Sequence, residues 1–115
     1  MSETKLGKGA QKDMRLSEIV REKAAEFLQR ESNRISLLTV TRINISKDGK
    51  LITILFTVLP EHKQHEALAF VKRLRGDFRQ YFIDHSRMGH VPTFDFDIDH
   101  GVKHRQKIDE IINKN

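Results

Sequence analysis

Apolar and polar positions recur along this chain with two different periods, and the changes of period divide it into elements. Leu16, Ile19, Val20, Ala24, Phe27 and Leu28 fall at three- and four-residue spacings, with Arg15, Glu18, Arg21, Glu22 and Glu26 on the other faces. That spacing predicts an amphipathic helix, with Asp13 as its N-cap and Ser32-Asn33 as its end. The period then drops to two. Residues 37–45 and 51–59 are rich in Thr, Val and Ile, as strands are. Between them Ser46-Lys47-Asp48-Gly49-Lys50 supplies a glycine that tolerates positive φ, which predicts an antiparallel hairpin. Apolar parity in the first strand switches from Leu38 and Val40 to Ile43 and Ile45, the mark of a bulge or of burial on both faces. Ile52, Ile54, Phe56 and Val58 form the apolar face of the second strand.

Pro60 closes that strand and a helical period returns, carried by Ala67, Phe70, Val71, Leu74, Phe78, Tyr81 and Phe82. Gly76 interrupts it. Glycine within a helix costs ~1 kcal/mol relative to alanine, so its presence predicts a kink or a close backbone approach. After a turn over residues 86–90, Val91-Pro92 opens a strand in which Phe94, Phe96 and Ile98 alternate with Asp95, Asp97 and Asp99. A last short helix over residues 102–112 would offer Ile108, Ile111 and Ile112 to the core. The order α-β-β-α-(Gly)-α-β-α predicts an α+β fold with helices covering one face of a three-stranded mixed sheet. Any parallel pairing in that sheet must involve the last strand, which is reached through the helical crossover.

A chain of 115 residues is the size of one domain. Residues 1–12, with Gly7, Gly9 and three lysines, read as a flexible basic arm, and residues 13–115 as the domain. No apolar run reaches the ~20 residues of a membrane span, and the start has no apolar signal region, so a cytoplasmic location is expected. The absence of cysteine excludes disulfides and thiolate metal sites. A formal net charge of +5 makes polyanions, nucleic acid first among them, the partners to consider.

Candidate chemistry narrows quickly. Asp95, Asp97 and Asp99 share one strand face and have the oxygens for a hard cation. With no other carboxylate placed to complete a shell, a solvated face that discourages edge-to-edge association is the better reading. His62-x-x-His65 and His100-x-x-x-His104 have ligand-like spacings but lie among polar residues without a partnering glutamate motif, and read as surface histidines. No G-x-S-x-G, P-loop or dinucleotide fingerprint occurs, so neither catalysis nor a cofactor is expected. What remains is a basic ridge. Lys72, Arg75 and Arg79 stand at i, i+3 and i+7 away from the apolar face, with Arg73 beside them and Gly76 at the centre. Such a ridge with a backbone opening suits a phosphate chain, against the plainer reading of a solvated helix face with a tolerated glycine. Lys12, Arg15 and Arg87 are candidates to extend it. Most aromatics sit at core spacings and only Tyr81 has a polar tip, which favours backbone and shape recognition over base reading.

The ordered pattern resembles a bacterial family, ribosome-binding factor A. The likeness runs over residues 13–112. It is carried by Leu38-Thr39-Val40-Thr41-Arg42-Ile43-Asn44-Ile45-Ser46-Lys47-Asp48, then Gly76-x-Phe78-Arg79, Arg87, Val91-Pro92-x-Phe94-x-Phe96, Asp99, and Lys107-Ile108-Asp109-Glu110-Ile111-Ile112. The resemblance implies a single KH-like (type II) domain in which a helix-kink-helix with an Ala-x-Gly element replaces the usual G-x-x-G loop. Leu74, Arg75 and Gly76 occupy that element here, leucine standing for the alanine. Because the chain ends soon after the last motif, any function of a long C-terminal tail is expected to be absent. The implied role is non-catalytic: binding the immature small (30S) ribosomal subunit and its rRNA, and assisting late maturation and rRNA 5′-end processing. Assembly GTPases and ribosomal proteins are implied as further partners. Independently of the resemblance, no membrane association is expected and a monomer is the default. Two other readings stay open: a general KH-like RNA chaperone without ribosome specificity, and a protein-interaction domain whose charge serves solubility.

Overall fold

The computed structural model describes residues 2–31 and 36–101. Helix α1 (Ser2–Glu31) leads into strands β1 (Leu37–Ile45) and β2 (Leu51–Leu59). A 3-10 turn (Glu61–Lys63), helices α2 (Gln64–Arg73) and α3 (Arg75–His85), and strand β3 (Thr93–Ile98) follow. Both hairpin strands occupy the stretches that alternation predicts. Gly49 adopts φ +73° in the turn, the conformation its lack of a Cβ permits. The helix expected to open at Asp13 begins instead at Ser2, so Asp13 lies inside α1. Gly7 and Gly9 each cost a helix only ~1 kcal/mol, too little to stop one among Lys, Leu, Ala and Gln. The expected C-terminal helix falls outside the described residues.

The sheet has the order β1-β2-β3, with β1 antiparallel and β3 parallel to β2. The parallel pair is the one involving the last strand, as the crossover requires. The β1–β2 register shifts between Val40 and Arg42, which makes Thr41 the bulged residue. One extra residue is what lets Leu38, Val40, Ile43 and Ile45 all lean toward the core despite their change of parity.

That core lies between one face of the sheet and the three helices. Ile52, Ile54, Phe56, Val58, Phe94, Phe96 and Ile98 meet Val20, Ala24, Phe27 and Leu28 of α1, Ala67 and Val71 of α2, and Phe78 and Phe82 of α3. Phe78 sits at the centre, with ring centroids 4.9 Å from Phe94, 5.4 Å from Phe27 and 5.6 Å from Phe96. Edge-on aromatic packing of this kind adds ~0.5–1.5 kcal/mol per pair beyond area burial.

Strand β3 forms an edge of the sheet. At the ends of its ladder Thr93 N–H donates to Lys50 O and Asp99 N–H to Phe56 O, so odd-numbered amides face β2 and even-numbered ones face outward. Asp95 Oδ1 accepts the Phe96 amide at 2.9 Å, and Asp97 Oδ1 accepts the Ile98 amide at 2.8 Å. Each aspartate thus occupies the outward N–H that a foreign strand would need. The alternating aspartates guard an edge, which gives the solvated-face reading a mechanism.

Candidate nucleic-acid interface

The ridge is built where α2 gives way to α3. Leu74, with φ −93° and ψ 6°, ends α2 by donating its N–H to Val71 O at 2.9 Å. The chain resumes at once, since Phe78 N–H donates to Leu74 O at 2.8 Å. The break therefore falls at Leu74, and the expectation that Gly76 interrupts the helix is corrected. Leu74 is partly buried and packs against the core. Gly76 sits exposed in the first turn of α3, and a Cβ built there would meet nothing within 4 Å. Among the described residues no close approach calls for glycine at this position. Its backbone is open to solvent.

Four cations surround that opening in two different states. Lys72 Nζ and Arg75 Nη1 reach Asp95 Oδ1 at 3.4 and 3.2 Å, and Arg75 Nε also donates to Lys72 O at 3.0 Å. With the Phe96 amide, one carboxylate oxygen thereby receives three donors. Partial burial pushes the Asp95 carboxyl upward. The Phe96 N–H and the Lys72 and Arg75 cations outweigh it, and the group is held below the usual carboxylate range. Arg73 and Arg79 are exposed, and among the described residues neither forms an ion pair. The ridge is thus two free guanidinium groups beside two cations that share an internal carboxylate.

The other flank of α3 has the opposite character. Asp77, Gln80, Tyr81, Asp84 and His85 face Phe27, Arg30 and Glu31 of α1 across an open cleft of about 390 Å³. Tyr81 donates its hydroxyl to Glu26 Oε2 at 2.9 Å, stacks with His85 at 4.0 Å between centroids, and has the Arg30 guanidinium 5.1 Å over its ring. Partial burial and Glu26 raise its phenol above the ordinary range. Its ring is already occupied, so the one aromatic with a polar tip offers no stacking platform for a base. Asp77 and Asp84 line this cleft, whereas Arg79 is not among its lining residues.

The remaining candidates are dispersed. Arg87 is exposed just beyond the α3 C-cap, Ser86. Arg15 is exposed on α1, and among the described residues it forms no ion pair with the ridge. Lys12 belongs to α1, but its side chain lies outside the described residues. Asp95 is the residue that sequence reasoning missed. Its strict alternation with phenylalanines placed it on a solvated face, and nothing local signals that α2 ends beside it. Among the described residues no cluster of three metal-ligating side chains occurs, and no helix is long and apolar enough to cross a membrane.

Comparison with known proteins agrees with this architecture. Residues 12–112 match the family model "Ribosome-binding factor A". The ribosome-binding factor A of Thermomicrobium roseum is 26% identical over 101 residues, which cover 85% of this chain and 78% of that protein. The crystal structure of the Thermus thermophilus ribosome-binding factor A superposes with a TM-score of 0.64 at 23% identity, covering 74% of this chain and 93% of the other. A Thermus thermophilus homology model, fitted into a cryo-electron microscopy map of a complex with the 30S subunit, gives a TM-score of 0.61 at 23% identity over 70% and 88% of the two chains. With the family model spanning nearly its whole length, the chain belongs to the ribosome-binding factor A family.

Proposed function

We propose that this protein is a non-catalytic ribosome assembly factor that grips rRNA of the immature small subunit along the α2–α3 ridge. The observation that carries the reading is the ridge itself: Arg73 at the end of α2 and Arg79 in α3 are exposed, form no ion pair among the described residues, and bracket an open helix backbone at Gly76. Family membership supports the ribosomal target, and the relative fitted into the 30S map has the same fold. The αββααβ order, with β3 parallel to β2, supports the type II KH-like description. Phosphate contacts position a nucleic acid without reading its sequence, which suits an interface of guanidinium groups and bare backbone. Late maturation and rRNA 5′-end processing in the cytoplasm, release aided by assembly GTPases, contacts with ribosomal proteins and a monomeric state complete the proposal.

The test is co-sedimentation of the purified protein with precursor and mature small subunits at low and moderate salt, beside an Arg73→Glu/Arg79→Glu variant. Preferential binding to precursor subunits, lost in the variant, is expected. Equal binding to unrelated RNA would instead indicate a general RNA chaperone. No co-migration at low salt would leave a protein-interaction domain.

A further inference from the structure

We infer that the β1–β2 turn and the α3–β3 loop together form a second phosphate-binding surface, made by Lys47, Lys50 and Arg87 with His90 beside them. It rests on the RNA-binding reading and extends it to a part of the molecule outside the ridge. The two segments lie far apart in sequence, yet Thr93 N–H donates to Lys50 O at 2.9 Å and Leu51 stands in register with Thr93. The turn that precedes β2 and the loop that precedes β3 therefore occupy the same end of the sheet.

Both segments are held in place without using their cations. In the turn, Ser46 Oγ donates to Asp48 Oδ1 at 2.7 Å and accepts the Leu51 amide at 3.0 Å, and Asp48 Oδ1 also accepts the Lys50 amide at 3.0 Å. Gly49 N–H closes on Ser46 O, and Ser46 N–H on Leu51 O, both at 2.9 Å. These bonds from Ser46 and Lys50 hold the Asp48 carboxyl below its usual range, so it stays anionic and committed to the turn. In the loop, Met88 and Val91 pack against the core and Pro92 is buried, while Arg87 and His90 are exposed. Among the described residues Lys47, Lys50 and Arg87 form no ion pair. Three cations carried on held backbone segments thus face solvent, against one carboxylate already bonded within its own turn.

A backbone already held in place favours polyanion binding, because less loop freedom is lost when the site is occupied. Helix α3 runs from the ridge toward this end. At 1.5 Å per residue Arg79 and Ser86 are separated by roughly 10 Å along its axis, so one RNA strand can engage both surfaces.

Filter binding of radiolabelled small-subunit rRNA across a potassium chloride series tests this. The variants are Lys47→Gln/Lys50→Gln, Arg87→Gln and, for the ridge, Arg73→Gln/Arg79→Gln. None removes a side chain that holds the turn or the loop, and thermal melts check that each variant is folded. With about 0.7–0.9 in slope per phosphate contact, the lysine pair is expected to lower the slope of log K against log salt by about 1.4–1.8, and Arg87→Gln by roughly half that. Wild-type affinity and slope in these variants, with both lost in the ridge variant, would confine binding to the ridge and overturn the inference. Wild-type behaviour in all three would overturn the RNA reading along with it.

Discussion

The carboxylate of Asp95 receives the guanidinium of Arg75 at 3.2 Å, and so sets an acidic group within the basic ridge. The two residues lie on different elements, one on the edge strand and the other at the start of α3. Lys72 shares the same oxygen at 3.4 Å. A phosphate arriving at the ridge must compete with Asp95 for these two cations, or bind Arg73 and Arg79 alone.

Asp95→Asn should therefore strengthen RNA binding. It frees two cations and raises the net charge by one unit. Affinity for small-subunit rRNA is expected to rise several-fold at low salt, with a steeper salt slope as Lys72 and Arg75 become additional phosphate contacts. Unchanged affinity and slope would mean that the RNA does not reach this part of the ridge.

The same carboxylate makes stability depend on pH. Its folded-state pKa lies below the ordinary aspartate value of 3.8, so folding favours the ionised form. That contribution is fully present above the unfolded pKa and is lost as pH falls below 3.8 through the folded value. Urea midpoints measured from about pH 7 down to about pH 3 should fall on the acid side in the native protein, and less steeply in Asp95→Asn.

Gly76→Ala separates a backbone role in binding from one in folding. The position is helical and open, so alanine should stabilise the fold by about 0.5–1 kcal/mol. If RNA lies against this backbone, the added methyl group will weaken binding although the protein is more stable. A urea melt and a filter-binding curve on one preparation distinguish the two effects.

Phe78→Ala removes the ring that joins α1, α3 and β3. Fully buried aromatic truncations cost about 3–5 kcal/mol, a large part of the stability of a domain this size. The variant should melt far below the native protein or fail to fold. Phe78→Leu, which restores most of the volume, should recover much of the loss.

Local patterns were enough for the hairpin. Alternation over 37–45 and 51–59 and the Asp48-Gly49 pair act within a few residues, and the strands lie where those signals put them. The parity switch in β1 likewise pointed to the bulge now seen at Thr41. What that bulge does was not legible. The Thr41 hydroxyl donates to Asp99 Oδ2 at 2.6 Å, and its carbonyl accepts from Arg21 Nη2 at 2.6 Å, which ties α1, β1 and the end of β3 together. The site divides in the same way. Its cations stand at helical spacings, but the break falls at Leu74, whereas propensity marks only Gly76.

From the sequence alone came the order of the elements as far as β3, their apolar faces, the turn chemistry and the surplus of positive charge. All of these follow from φ/ψ preference and side-chain period, which act between near neighbours. Tertiary structure decided which charges are free and which are spent. Lys72 and Arg75 meet Asp95 only because α2 ends beside the edge strand, and Lys50 meets Thr93 only because β3 enters parallel to β2. Those meetings join residues 20 or more apart in the chain, and packing of the shared core brings them about.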